Sequence, residues 1–137
     1  MEIKFVEAKT LKPKPDVSKI GFGTHFTDYM FEMNYNPTDG WHDPKIVPFE
    51  NMSLSPANTT LHYGQAIFDG LKAYKHNGKP VIFRASTHLQ RVNVSAKILD
   101  IPEVPFDIML AGLKKLIYIE RDWIPTEKGQ SLYIRPF

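Results

Sequence analysis

Between Thr24 and Tyr35, aromatic and apolar side chains fall on both alternating faces of the chain, Phe26 and Met30 on one and Tyr29, Phe31 and Met33 on the other. A half-exposed strand keeps its apolar residues on one face, so this distribution predicts a central strand covered on both sides. Asn36-Pro37-Thr38-Asp39-Gly40 then predicts a turn, with Pro fixing one dihedral and Asp-Gly supplying a positive one. The chain returns from Trp41 to Leu54, and Pro44 and Pro48 place that segment at a sheet edge or in a loop, because proline cannot donate to a ladder. The first 21 residues carry Pro13, Pro15 and Asp16 close together and predict a strand followed by an extended arm.

The second half is more regular. Apolar runs from Gly70 to Lys75 and from Lys79 to Arg84 flank His76-Asn77-Gly78, and Asn-Gly between such runs signals a hairpin. The period then changes to that of a helix. One helix opens at Ser86 or Thr87, where Thr87 and Gln90 have the spacing of a capping box, and runs to about Leu99. A second runs from about Pro105 or Asp107 to about Arg121, with Met109, Leu113, Leu116 and Ile117 on one face. Trp123 to Gly129 reads as a loop and Ser131 to Phe137 as a strand. Strands grouped before helices predict an α+β fold with a largely antiparallel sheet and two helices.

Composition narrows the function classes. The chain has 137 residues, suited to one domain, and its 17 basic and 15 acidic residues are scattered, leaving a net charge of +2. That balance builds no field for nucleic acid. Cysteine is absent, which excludes disulfides, thiolate metal sites and a cysteine nucleophile. No apolar run approaches the roughly 18 residues of a membrane span, and the first residues lack the apolar core of a secretion signal, so a cytoplasmic protein without a membrane partner is expected. The five histidines have no metal-ligand spacing, no GxGxxG or P-loop string is present, and no metal is expected.

Two arginines stand out. Projected at about 100° per residue, Leu89, Val92, Ala96 and Leu99 form one apolar stripe of the first helix and Gln90, Asn93 and Lys97 the polar one. Arg91 joins Val94 and Ile98 on a second apolar stripe, so its guanidinium is expected to project from a packed surface and to need a partner. Two partners suit a planar guanidinium there: a carboxylate in a structural ion pair, or the phosphate or carboxylate of a ligand. Tyr133 and Arg135 alternate in SLYIRPF and so point to the same side of a strand, where they either satisfy each other at a sheet end or orient an anion. Phe26, Tyr63 and Phe68, taken alone, read as core packing.

The run LHYGQAIFDGLKAY, from Leu61 to Tyr74, continues into VIFRASTHLQRV and is answered by SLYIRPF near the end of the chain. With FGTHFTDYMFEMNY from Phe22 and WIPTEKGQSLYIRP from Trp123, these segments resemble the branched-chain aminotransferases, pyridoxal 5'-phosphate (PLP) enzymes of fold type IV. The resemblance implies transamination between leucine, isoleucine or valine and 2-oxoglutarate, giving glutamate and a branched 2-oxo acid. It implies that Arg91 binds the PLP phosphate and that Tyr133 and Arg135 orient substrate carboxylates. It further implies that Phe26, Tyr63 and Phe68 line an apolar substrate pocket, with Tyr63 reaching the partner's site in a homodimer.

The family's cofactor-bonded lysine lies well beyond the position of Arg135, so the resemblance implies that residues 1–137 are the small N-terminal domain. Residues from about 131 to 137 would begin the connection to a large lysine-bearing domain. None of Lys72, Lys75, Lys97, Lys114 and Lys115 sits in the family's lysine motif; no catalytic residue is expected in this chain, which should be inactive alone. Three other readings share the pattern: an assembly or dimerisation module without chemistry, another fold type IV enzyme such as a D-amino-acid aminotransferase or an aminodeoxychorismate lyase, and a module that only binds PLP, for which one phosphate contact is a poor anchor.

Overall fold

The structure, a computed structural model, describes residues 1–137. Its strands form two three-stranded sheets. In the first sheet β2 (Tyr29–Asn36) pairs antiparallel with β3 (Gly40–Pro48), and the short β1 (Lys4–Phe5) runs parallel to β3 on its other side. The turn between β2 and β3 falls on the expected residues. The Asn36 side-chain oxygen accepts from the amides of Thr38 and Asp39 at 2.9 and 2.8 Å, and Gly40 takes the positive φ of 65° that closes the loop.

Two expectations for this sheet are corrected. β2 lies at its edge, and β3, the strand with two prolines, is the central one. The reason is a bulge. The register passes from Glu32 opposite Lys45 to Asn34 opposite His42, leaving Asp43, at φ 52°, and Pro44 in the irregularity where no ladder bond is lost. Pro48 is the last strand residue, and β1 attaches at Lys45 and Ile46, beyond Pro44. Proline is therefore excluded only from positions whose N–H the sheet uses.

The second sheet has the order β5 (Lys79–Ile82), β4 (Leu71–His76), β6 (Leu132–Ile134), all antiparallel. Its hairpin is the one the sequence predicts. His76 pairs with Lys79, and Asn77 and Gly78 make the two-residue turn at φ 48° and 74°, the left-handed conformations that a two-residue turn between twisted strands requires.

Three helices are present. α1 (Thr59–Tyr63) has five residues, too few for a periodic signal; Asn58 caps it by accepting from the Thr60 amide at 2.9 Å. α2 (Ala85–Ile98) and α3 (Phe106–Ile119) match the expected helices within a few residues. The expected capping box does not form. α2 starts at Ala85, directly behind Arg84 in a left-handed conformation, so Thr87 already lies in its first turn and no side chain caps the helix. A short 3-10 turn, Arg121–Trp123, follows α3.

The core lies between one face of the second sheet and the two long helices. Leu71 and Ala73 of β4 point inward at alternate positions and meet Leu89 and Val92 of α2, Met109, Leu113 and Ile117 of α3, and Ile124. α3 also carries the first sheet: a Cβ on Gly112 would come within 2.7 Å of the Phe31 ring, so this glycine lets β2 approach the helix. The second apolar stripe of α2 is corrected. Leu89, Val92 and Ala96 are buried, but Val94 and Ile98 are exposed, because sheet and α3 cover one side of this peripheral helix only. No helix is long and apolar enough to cross a membrane.

Candidate anion-binding site

The site forms where β4 begins. Leu71 faces Ile134 and Lys72 faces Tyr133 across the β4–β6 ladder, and the pairing extends one step further because the Asp69 amide donates to the Pro136 carbonyl at 3.0 Å. Side chains alternate along this ladder. Asp69, like Leu71 and Ala73, therefore faces the helices, while Gly70, Tyr133 and Arg135 share the opposite face.

On the helix side, Asp69 meets Arg91. The Arg91 Nε donates to Asp69 Oδ2 at 2.9 Å and its Nη2 donates to Oδ1, a side-on fork. The Gly70 amide donates to the same carboxylate at 2.6 Å. Arg91 holds the Asp69 carboxyl below its ordinary value; burial opposes this, while the Gly70 amide and the nearby His88 add to it. The two partners differ in exposure, the Arg91 side chain being 55% accessible and that of Asp69 8%. Arg91 thus projects from a largely uncovered surface, and not from the packed one its stripe suggested. Of the five guanidinium N–H donors, Asp69 takes two, and the remaining three, on Nη1 and Nη2, have no partner in the chain. Of the two partners weighed from the sequence, the structure contains the carboxylate, Asp69, and it leaves the other edge of the guanidinium open.

On the other face, the predicted alternation of Tyr133 and Arg135 is found, with Arg135 Nη2 donating to the Tyr133 hydroxyl at 3.1 Å. The guanidinium also lies over the Phe68 ring at 4.7 Å and the Tyr133 ring at 5.3 Å, while Phe22 meets Tyr133 edge-on at 5.1 Å. Gly70 makes room for this arrangement, since a Cβ there would sit 2.4 Å from the Tyr133 hydroxyl. Arg135 is exposed, and its guanidinium, held over two aromatic faces, is free to meet a carboxylate from the solvent side.

Phe68, Tyr133 and Arg135 are therefore brought together, with Arg91 joined to them through Asp69 and Gly70. Phe26 and Tyr63 lie apart. Phe26 stacks on Phe49 at 4.9 Å with the planes 8° from parallel, and Tyr63, at the end of α1, is 85% exposed. The residues missed from the sequence are Asp69 and Phe22; Gly70, whose lack of a side chain already suited a close approach, is the position where Tyr133 comes in. Asp69 carried a usable signal: it is the one acidic residue between Glu50 and Asp100, so a local carboxylate partner for Arg91 could have been found by elimination.

A second buried acidic group lies before β2. Asp28 accepts from the Lys12 amide at 2.7 Å, the Trp123 indole N–H at 2.7 Å and Lys14 Nζ at 3.2 Å, pinning the N-terminal arm to the end of α3. Burial works to raise the Asp28 carboxyl, but these donors together hold it below its ordinary value. Neighbouring Glu120 accepts from the Tyr29 amide at 2.5 Å, and burial, helped by the charge of Asp28, pushes its carboxyl up to about 7.

No protein-family profile matches the chain. Among individual proteins, a probable branched-chain-amino-acid aminotransferase of Staphylococcus epidermidis is 54% identical over 136 residues, 99% of this chain and 38% of that protein. Branched-chain-amino-acid transaminase 1 of Bacillus subtilis is 46% identical over 92% of this chain and 36% of its own length. The crystal structure of the Escherichia coli branched-chain amino acid aminotransferase superposes on 66% of this chain and 28% of that one, with a TM-score of 0.53 and 30% identity. The chain spans about 38% of the length of curated relatives that it matches. Along nearly its whole length, the chain belongs to the branched-chain aminotransferase family.

Proposed function

We propose that this chain supplies the phosphate anchor and a carboxylate anchor of a PLP-dependent branched-chain transaminase, which moves the amino group of leucine, isoleucine or valine to 2-oxoglutarate. The observation that carries this reading is the pair of arginines on opposite faces of one sheet end. Each is oriented by a side chain of this chain, Arg91 by Asp69 and Arg135 by Tyr133. The open edge of Arg91 suits a phosphate, which a planar fork can meet with two parallel hydrogen bonds. When bound, PLP supplies the electron sink for amino-group transfer. Every other contribution proposed here is one of binding and orientation. Arg91 holds the phosphate, Tyr133 and Arg135 orient a substrate carboxylate, and Phe68, which lies against Arg135, presents an apolar surface to the branched side chain.

Phe26 and Tyr63 complete the apolar pocket in this reading, Tyr63 from the neighbouring subunit of a homodimer. Its exposure is what a residue serving another subunit needs. Residues 1–137 act as the small N-terminal domain, those from about 131 leading into the domain that carries the cofactor-bonded lysine, and the assembled enzyme is cytoplasmic.

Two experiments test the reading. The chain mixed with PLP, leucine and 2-oxoglutarate should form no glutamate above the free-PLP background, whereas the same chain joined to the remaining length of the Staphylococcus epidermidis relative should turn over. In that joined enzyme, Arg135→Met should slow the single-turnover reaction of glutamate far more than that of leucine, because only glutamate loses a paired side-chain charge, worth about 2 to 5 kcal/mol. Equal losses would place Arg135 on the shared α-carboxylate or on the fold.

A further inference from the structure

We infer that Asp69 is a positioning residue for anion binding: its buried carboxylate fixes Arg91 so that the outer edge of the guanidinium is presented, already oriented, to a phosphate group. The inference rests on the proposed role of Arg91 and adds the residue that makes the role possible. An arginine on an exposed helix face samples many rotamers, and an anion that had to select one of them would bind at a cost in conformational entropy. The Nε and Nη2 fork on Asp69 removes that freedom before any ligand arrives. The guanidinium is flat and rigid, so fixing one edge fixes the other.

Asp69 is itself tied at three points. Its amide is tied to Pro136, its carboxylate accepts from the Gly70 amide, and its side chain is 8% exposed. It stands just before β4, whose ladder partner β6 bears Tyr133 and leads directly into Arg135. One backbone segment thus sets the distance between the phosphate anchor and the carboxylate anchor, which a shared cofactor and substrate must span together.

Electrostatics alone would give the opposite expectation. A carboxylate beside Arg91 cancels its charge and repels an incoming anion, so a protein selected only for attraction would do better without it. Replacing Asp69 separates the two effects by sign.

Inorganic phosphate titrated into the intact chain, followed by NMR of the arginine side-chain N–H groups, is the test. In the wild type, saturation should move the Arg91 Nη signals and leave its Nε–H signal in place, because Asp69 keeps that edge. Asp69→Asn should weaken phosphate roughly five- to tenfold although it deletes a negative charge. Asp69→Glu, which keeps the charge and displaces it by one methylene, should weaken it similarly while the amide spectrum remains that of the folded chain. Arg91→Ala should weaken it roughly ten- to a hundredfold. Phosphate binding by Asp69→Asn as tight as or tighter than wild type, or a phosphate-induced shift of the Nε–H signal, overturns the positioning role and leaves Arg91 as the anchor. No phosphate response in the wild type, or an unchanged one in Arg91→Ala, overturns the anchor itself and the positioning role with it.

Discussion

Asp28 and Asp69 are alike in burial, at 5% and 9% exposed, and each stands just before the opening of a strand, yet they are built for opposite ends. Asp28 is closed. Its donors are a backbone amide, an indole and an ammonium that itself lies 4.3 Å over the Trp123 ring, all engaged within the fold. Asp69 is open on one side, because the cation it holds has donors left over and faces solvent. Burial of a carboxylate does not by itself mark a site. What distinguishes the two is whether the satisfied acid leaves its partner with unused capacity.

The comparison breaks most visibly at Asp28. Asp28→Ala leaves the Trp123 indole and the Lys12 amide without an acceptor and should cost about 3 to 5 kcal/mol in chemical denaturation. Phosphate binding by the folded fraction should not change.

Glu120 gives the same centre a pH dependence. Its folded value of about 7 lies above the ordinary 4.5, so between those values the native state holds more proton than the unfolded chain, and stability falls as pH rises through that window. A shift of this size is worth about 3 kcal/mol. Denaturation midpoints between about pH 4 and 8 should decline for the wild type and flatten for Glu120→Gln, whose amide oxygen can still accept from Tyr29. An unchanged slope would assign the dependence to another group.

The open centre should respond less. Arg91→Ala leaves Asp69 buried beside a single amide donor and should lower the denaturation midpoint near neutral pH by less than Asp28→Ala does, because the lost partner is a solvent-exposed cation. Its sign with pH is opposite to that of Glu120. The Asp69 value is depressed below the ordinary 3.8, so its contribution is present above that value and is lost as pH falls through the lower folded one. Arg91→Ala should therefore remove part of the acid destabilisation seen in the wild type, which acid titration of folding would register.

The sequence carried the local parts of this account. Asn77-Gly78 determined its hairpin because the turn needs left-handed residues, and the alternation of Tyr133 with Arg135 followed from strand geometry alone. The need of Arg91 for a partner was visible too, and the lone acid at Asp69 could have named it. What stayed hidden depended on distant neighbours. Pro44 is tolerated in a central strand because the partner strand shifts register there, and no local pattern records that shift. α2 offered two apolar stripes, and only the packing of α3 and the second sheet decides which is covered. α1 is shorter than any window in which a helical period can be counted. Phe26 and Tyr63 entered through family resemblance, and their ring partners are Phe49 and His62 and not Phe68 or Tyr133.

The most direct test of the open and closed centres is a backbone amide NMR titration of the chain with pyridoxine 5'-phosphate, which carries the phosphate but lacks the aldehyde that reacts with lysines. Perturbations should gather at Asp69, Gly70 and the turn of α2 around Arg91, with Lys12, Lys14, Asp28, Glu120 and Trp123 silent. Perturbations centred on Lys14 and Trp123, or none around Arg91 at saturating ligand, would contradict the account.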